Sequence, residues 1–177
     1  MEPLSSDNLL QAYDNGDRQF AGIDLSAAQL FEADLRHIDL QASCLNRLYA
    51  PYSNFSQGNL QAVTLMGAEL GDSSFYGADL SQAILTNASL SRADLRAANF
   101  GGANLRGANL QGADLRQANL TSADLEGANL QGANLEGTIL KDANLSRCNL
   151  FRAVGLALDS SRCDRTTILP DGHTYDT

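Results

Sequence analysis

Large apolar side chains recur at every fifth position over most of the chain. From Phe20 to Leu150 this register holds 27 positions without an insertion, of which 22 are Leu, four are Phe and one is Ala. A small residue, most often Ala, lies two positions before most of them, and Asp or Asn stands between the two at 17 positions. Each unit therefore alternates small inside, polar outside and large inside, as in a β-strand.

A helix cannot produce this pattern. Five residues of helix turn through about 500°, so successive Leu side chains would not share one face. The period instead predicts a short extended segment followed by a corner in every unit. Gly occupies the second position after the large residue in nine units, which suits a turn with positive φ. Bending at a fixed interval stacks the inward residues into a continuous core.

The units from Ala98 to Leu150, such as Ala103-Asn104-Leu105, follow the motif A(D/N)LXX almost literally, and in this the chain resembles the pentapeptide repeat family. The resemblance implies an all-β solenoid, a right-handed quadrilateral β-helix called the Rfr fold, with four pentapeptides in each coil of roughly 20 residues. At about 4.8 Å per coil, the repeat would form a rod roughly 30 Å long.

The sequence predicts three parts: an N-terminal helical cap at 1–17, the repeat β-helix at 18–152, and an irregular coil with a polar tail at 153–177. A cap is needed because a solenoid exposes an apolar cross-section at each end. Ser5 or Ser6 is suited to begin a short helix that runs through Tyr13 and covers the first coil. A hydrophobic segment with a turn at 168–172 is expected to close the other end.

One unit inverts the pattern, because in Leu48-Tyr49-Ala50 the large residue takes the small position. With coils of roughly 20 residues, positions 31 and 51 stack on one face. We therefore expect an aromatic patch outside the core, formed by Phe31, Tyr49, Pro51 and Tyr52. Exposed aromatic patches often mark protein-binding sites. A second interpretation stays open, in which the N-terminal lid or a local bulge covers these residues.

A second surface feature is a charge ladder, in which acidic and basic residues alternate at coil spacing: Asp94, Arg96, Asp114 and Arg116. Asp34 and Arg36 repeat the same pattern further down the same face. One interpretation is a strip of surface salt bridges. The simpler interpretation is a solvated face that discourages edge-to-edge association.

Residues with catalytic potential are few and are predicted to lie far apart. Imidazoles occur only at His37 and His173, while Cys44 is predicted to point outward and Cys148 inward, about five coils apart. A contact between Cys148 and Cys163 stays open beside the alternative of reduced thiols. The glycines follow the repeat and form no phosphate-binding motif. We expect no enzyme activity, no cofactor and no metal, because a filled rod offers no substrate cleft.

The net charge and the hydropathy of the chain argue against nucleic acid and membranes as binding partners. The chain carries 12 basic and 21 acidic residues, a formal net charge of −9, which disfavours direct binding to nucleic acid. No apolar run is long enough to cross a bilayer, and the first residues lack a signal-peptide pattern. We therefore expect a cytoplasmic protein without membrane contact. Three widely spaced cysteines fit a reducing compartment.

Surface functions remain. The leading hypothesis is a non-catalytic protein-binding or scaffold module of unspecified partner, as a monomer or an end-to-end homodimer. Segments 9–25 and 169–172 look like cyanobacterial pentapeptide repeat proteins, and this resemblance suggests regulation through protein contacts. The alternative is DNA mimicry acting on gyrase, implied by the family's Qnr and MfpA members. Residues 20–150 carry 13 acidic and eight basic side chains. Their net charge of −5 is far below the roughly 18 charges of B-DNA of that length, so mimicry ranks second.

Overall fold

The chain forms a stack of coils joined by single parallel bridges. The computed structural model describes residues 2–158 and 160–176. Its regular elements are strand β1 (Glu2–Pro3), helix α1 (Ser6–Asp14) and strand β2 (Ile23–Asp24), with β1 and β2 paired in parallel. From Gln19 onward, bridges join each outward residue to its counterpart four pentapeptides later, as in Asp79↔Asn99. One coil therefore holds four pentapeptides, as the family resemblance implies.

Each corner is a tight turn with a left-handed third residue. In the corner that begins at Leu105, the Ala108 amide donates to the Leu105 carbonyl at 3.0 Å, and Gly107 has φ +64°. These features match a type II turn. The nine glycines at this position have the predicted positive φ, between 62° and 72°. At most other corners a residue other than glycine holds the same position with φ between 54° and 61°. The stacked coils therefore impose this conformation even where the side chain disfavours it.

The core is a set of columns of large and small side chains. All 27 positions of the five-residue register are buried. The Leu80 amide donates to the Asn99 carbonyl and the Phe100 amide to the Asn119 carbonyl, both at 2.7 Å, so the large residues of successive coils stack. Phe55 and Phe75 also stack, with ring centroids 5.0 Å apart. The interior is thus the continuous core that the sequence predicts.

Helix α1 closes the N-terminal end, as predicted. Its N-cap is Ser5, whose hydroxyl accepts from the Asn8 amide at 3.2 Å. Leu9 is fully buried against the core, and the Tyr13 hydroxyl donates to the Arg36 carbonyl at 2.8 Å. Strand β1, which the sequence pattern does not indicate, adds a further parallel segment before the helix. Among the described residues, no helix has the length and apolar character to cross a membrane.

The C-terminal end closes with a shortened coil and a hairpin. The bridges of regular spacing continue to Val154, and the two parallel bridges that follow join residues that are closer together in the sequence. Ile168 then pairs antiparallel with Thr174, around a turn in which the Gly172 amide donates to the Leu169 carbonyl at 2.9 Å. The predicted closing segment is therefore one arm and the turn of this hairpin.

Candidate functional site

The structure brings the aromatic patch together at one corner of the β-helix. The Glu32 amide donates to the Pro51 carbonyl at 3.1 Å, which places the corners of two successive coils side by side. The Phe31 ring lies 6.4 Å from the Tyr49 ring at an interplanar angle of 18°, and 5.8 Å from the Tyr52 ring at 76°. Both distances are within the range of favourable aromatic pairs.

The patch is open to solvent. Phe31 is 50% exposed, Tyr49 40% and Tyr52 57%, while Pro51 is half-buried between them. Helix α1 does not cover these rings, although it passes close enough for the Ser6 hydroxyl to accept from the Gln29 amide at 3.0 Å. The interpretation in which the lid hides the patch therefore does not hold.

The inverted unit keeps its core positions filled and leaves Tyr49 outward. Leu48 fills the column of small side chains and Ala50 the column of large ones, and both are buried. Tyr49 then takes the outward position between them. Eight large apolar side chains are exposed among the described residues, and only Phe31, Tyr49 and Tyr52 make ring-to-ring contacts.

Carboxylates surround the patch. Glu69 lies next to Tyr49 in the following coil, and Glu32 lies next to the corner that carries Tyr52. Both are exposed, and neither makes a salt bridge within the described part of the chain. Asp72, directly after Tyr52 in its column, is paired with Arg92 at 2.8 Å. The hydrogen bonds from Arg92 hold the pKa of Asp72 below its ordinary value.

The predicted charge ladder is also formed. Arg96 contacts Asp94 at 2.8 Å and Arg116 contacts Asp114 at 2.7 Å, while a 3.8 Å contact between Arg96 and Asp114 links the two pairs. Hydrogen bonds from these arginines lower the pKa of both carboxylates. The same geometry recurs at Asp34, 2.8 Å from Arg36.

Acid should weaken the ladder. Because folding lowers the pKa of Asp94 and Asp114 below 3.8, their stabilisation is complete above that value and is lost as the pH falls through the folded-state pKa. These surface pairs should each contribute less than about 1 kcal/mol. The double change Asp94→Asn and Asp114→Asn should therefore lower the free energy of unfolding at neutral pH, with a difference that shrinks near pH 2. Chemical denaturation at both pH values tests this, and an unchanged difference would contradict it.

The cysteines have unlike environments. Cys44 is partly exposed, and a hydrogen bond with the Ser26 hydroxyl, 3.1 Å away, lowers the pKa of its thiol. Cys148 is buried and donates to the Leu125 carbonyl at 2.9 Å, and this burial raises its pKa to about 12. Cys148 thus fills a small core position as predicted, and all three cysteines are free.

The imidazoles lie in different parts of the fold. His37 is exposed at a corner of an early coil, and His173 lies 3.2 Å from Asp171 in the C-terminal hairpin. Within residues 2–158 and 160–176, no group of three or more His, Cys, Asp or Glu is arranged to hold a metal ion. Two open depressions of about 450 and 380 Å³ follow the stacked surface columns, the first beside the charge ladder and the second between Arg92 and Arg152.

Contacts between successive coils are not visible when the sequence is divided into single pentapeptides. Arg92 pairs with Asp72, and Arg106 pairs with Glu126, each partner one full coil away. The acidic surroundings of the aromatic patch arise in the same way. A search at coil spacing for opposite charges, or for carboxylates next to aromatic residues, would have found them.

A protein-family model described as pentapeptide repeats matches the chain in eight copies, at residues 52–82, 73–112, 98–137 and 118–154. Comparison with curated proteins returns no match. Among solved structures, the chain is similar to HetL, a pentapeptide repeat protein involved in heterocyst differentiation regulation from the cyanobacterium Nostoc sp. strain PCC 7120. The identity is 28% over 97% of this chain and 100% of HetL, with a TM-score of 0.52.

Two further structures are similar over most of their length. Rfr23, a pentapeptide repeat protein from the cyanobacterium Cyanothece 51142, is 26% identical over 93% of this chain and 98% of its own, with a TM-score of 0.42. Full-length QnrB1, a plasmid-mediated fluoroquinolone resistance protein, is 18% identical over 92% of this chain and 89% of its own, with a TM-score of 0.44. The match to the family model and the similarity to HetL imply that the coils wind as a right-handed β-helix.

Proposed function

Because the chain belongs to the pentapeptide repeat family, we propose that it is a non-catalytic protein-binding module that presents a rigid surface to a partner protein. The observation that carries this proposal is that Phe31, Tyr49 and Tyr52 of the aromatic patch are exposed and in contact with one another. Three adjoining rings that are each about half exposed leave apolar surface in water, and a partner that covered them would remove it. Tyr is also among the residues that most often dominate binding energy at protein interfaces.

The backbone beneath the patch favours tight binding. The Tyr49 amide donates to the Ala28 carbonyl at 3.0 Å, and the Tyr52 amide donates to the Gly71 carbonyl at 3.1 Å. The segment that carries these rings is thus tied to the coil before it and to the coil after it. Little backbone entropy remains to be lost on association, so more of the contact energy contributes to affinity.

The similarity to HetL supports a regulatory form of this role, since that protein is involved in the regulation of heterocyst differentiation and is matched over its whole length. Regulation by a non-catalytic rod requires contact with another macromolecule. We assign that contact to the aromatic patch. Helix α1 and the C-terminal hairpin cover the two ends of the coils, which favours a monomer over an end-to-end homodimer.

DNA mimicry fits the surface less well. A mimic needs free carboxylates at phosphate-like intervals. Here Asp94 and Asp114 are held by arginines of the charge ladder, and Arg106 contacts Asp124 at 3.2 Å and also Glu126. The paired charges offer a nearly neutral strip rather than a dense negative one. Protein docking through the aromatic patch is therefore the preferred function.

Substitution of the patch should abolish partner binding without unfolding the protein. The variant carries Phe31→Ser, Tyr49→Ser and Tyr52→Asn, where Asn suits the φ of +60° at position 52. Each change removes apolar surface that faces solvent, so the melting temperature should move by only a few degrees. Affinity purification from the native host, followed by mass spectrometry, should recover partners with the wild type that are lost with the variant.

A matched control removes exposed apolar side chains elsewhere. Met66→Ser, Tyr76→Ser and Ile139→Ser change residues that are 45%, 43% and 52% exposed. This control should retain every partner. Retention of every partner by the patch variant as well would remove the aromatic patch as a docking site.

A further inference from the structure

Arginines of this chain already cover other aromatic rings at its surface. A guanidinium lies over the ring face in three pairs, at 3.6, 5.4 and 4.9 Å from the centroid: Arg18 on Tyr13, Arg96 on Tyr76 and Arg152 on Phe151. Within the described chain, no cation lies over a ring of the aromatic patch. The rings of the aromatic patch therefore lack the stacked guanidinium that these three other rings have among the described residues.

The arrangement of the three rings suits a flat cation. Phe31 and Tyr49 lie nearly parallel, whereas Tyr52 stands at 76° to Phe31. The ring planes are therefore oriented in two directions around one corner. A guanidinium stacks on such a face while its N–H groups point outward toward acceptors, which a compact ammonium cannot do as well.

The charges around the rings also favour a cation. Glu32 and Glu69 are exposed on either side of the patch and make no salt bridge within the described residues. Asp72 is already neutralised by Arg92. Arg47, at the other corner of the same face, makes no salt bridge within 4.0 Å to either glutamate among the described residues. The patch therefore keeps two carboxylates that are free to pair with an incoming cation.

We propose that the partner presents an arginine in a basic segment, whose guanidinium stacks on the aromatic patch and is paired by Glu32 and Glu69. This inference rests on the proposed function, because it names the chemistry of the partner at the same site. Ring faces supply the stacking energy, and the two carboxylates accept the guanidinium hydrogen bonds. An apolar partner segment would cover the rings and leave these carboxylates without a role.

Peptide binding tests the inference directly. The probe is a fluorescently labelled peptide of alternating Arg and Gly, measured by anisotropy with the full chain at low salt. The same peptide with citrulline in place of Arg keeps the shape and removes the charge, and a Lys peptide keeps the charge and removes the planar group. We expect the Arg peptide to bind at least about fivefold more tightly than either. Equal binding of the Arg and Lys peptides would overturn the proposal.

Two double variants separate the site from general electrostatics. Glu32→Gln with Glu69→Gln should weaken binding of the Arg peptide by about five- to tenfold. Glu136→Gln with Asp142→Asn removes the same charge from exposed residues about four coils further along, and should leave the affinity within about twofold. Equal losses for the two double variants would show general attraction to an acidic protein and would overturn the assignment.

The native partner distinguishes this inference from the function on which it rests. Loss of that partner with the patch variant, but full retention with Glu32→Gln and Glu69→Gln, would uphold docking at the patch and refute recognition of arginine. Retention with both variants would refute both. Loss with both, together with selective binding of the Arg peptide, is the result we expect.

Discussion

Replacement of Leu105 by Lys should unfold the β-helix. Leu105 is 1% exposed in a central coil, and its amide donates to the Asp124 carbonyl of the next coil at 2.7 Å. Loss of the buried Leu side chain costs about 2 to 5 kcal/mol, and an unpaired ammonium in a dry core costs several more. The sum is comparable to the entire stability of a typical domain, about 5 to 15 kcal/mol. Circular dichroism should show loss of the folded spectrum at room temperature.

A surface lysine provides the control for this experiment. Gln111 is exposed at the corner that follows Leu110, close to Leu105 along the chain. The Gln111→Lys change therefore adds the same charge without burying it. This variant should unfold with the wild-type transition, within about 0.5 kcal/mol. A Leu105→Lys variant that melts like the control would refute the inward placement of the large columns.

Gly155→Ala should break the last regular coil. Gly155 has φ +71°, and a Cβ at this position would lie 2.6 Å from both the Cα and the amide nitrogen of Glu136. These are backbone atoms of the preceding coil, so no side-chain rotation relieves the clash. Left-handed strain of about 1 to 2 kcal/mol adds to it, and we expect a total cost of about 3 kcal/mol or more. Denaturant unfolding should show this loss, and hydrogen exchange should show an unprotected Leu135 amide, which now donates to the Val154 carbonyl.

Gly132→Ala separates strain from collision. Gly132 has nearly the same φ, +67°, but a Cβ there meets no atom within 4 Å. Its cost should be limited to the left-handed strain of about 1 to 2 kcal/mol. Equal destabilisation by the two alanines would mean that the chain shifts at Gly155 without penalty, contrary to the contact with Glu136.

Much of the fold could be predicted because its contacts repeat. A register from Phe20 to Leu150 without insertions specifies which side chains are inside, and stacking then determines their neighbours. The sequence predicts the N-terminal helix from a cap at Ser5 or Ser6 and from the apolar positions around Leu9, and the structure confirms the helix with Ser5 as its N-cap. Strand β1 was not predicted, because two residues at Glu2–Pro3 carry no periodicity and owe their strand conformation to pairing with β2.

The sequence predicts where the aromatic patch lies, but not whether it is exposed or which charges surround it. The predicted coil spacing brought Phe31 and Tyr52 together correctly. Whether α1 covered them depended on the direction in which that helix crosses the first coil, which no pattern in the sequence encodes. The neighbouring carboxylates Glu32 and Glu69 were missed for another reason, because their contacts with the patch form between coils. Glu69 is far from the rings along the chain, and Glu32, although it directly follows Phe31, meets the corner of Tyr52 only through the next coil. The role of this site in binding remains a prediction.

Because the coils have a uniform pitch, the number of coils determines the length of the molecule. Because each residue meets its counterpart in the next coil at a fixed spacing, a whole coil added between residues 100 and 120 would leave both capped ends and the aromatic corner unaltered. Each such addition would move the C-terminal hairpin about 4.8 Å further from the aromatic patch. Repeat number therefore sets the distance between anything held at that corner and anything held at the far end, independently of the chemistry at either place.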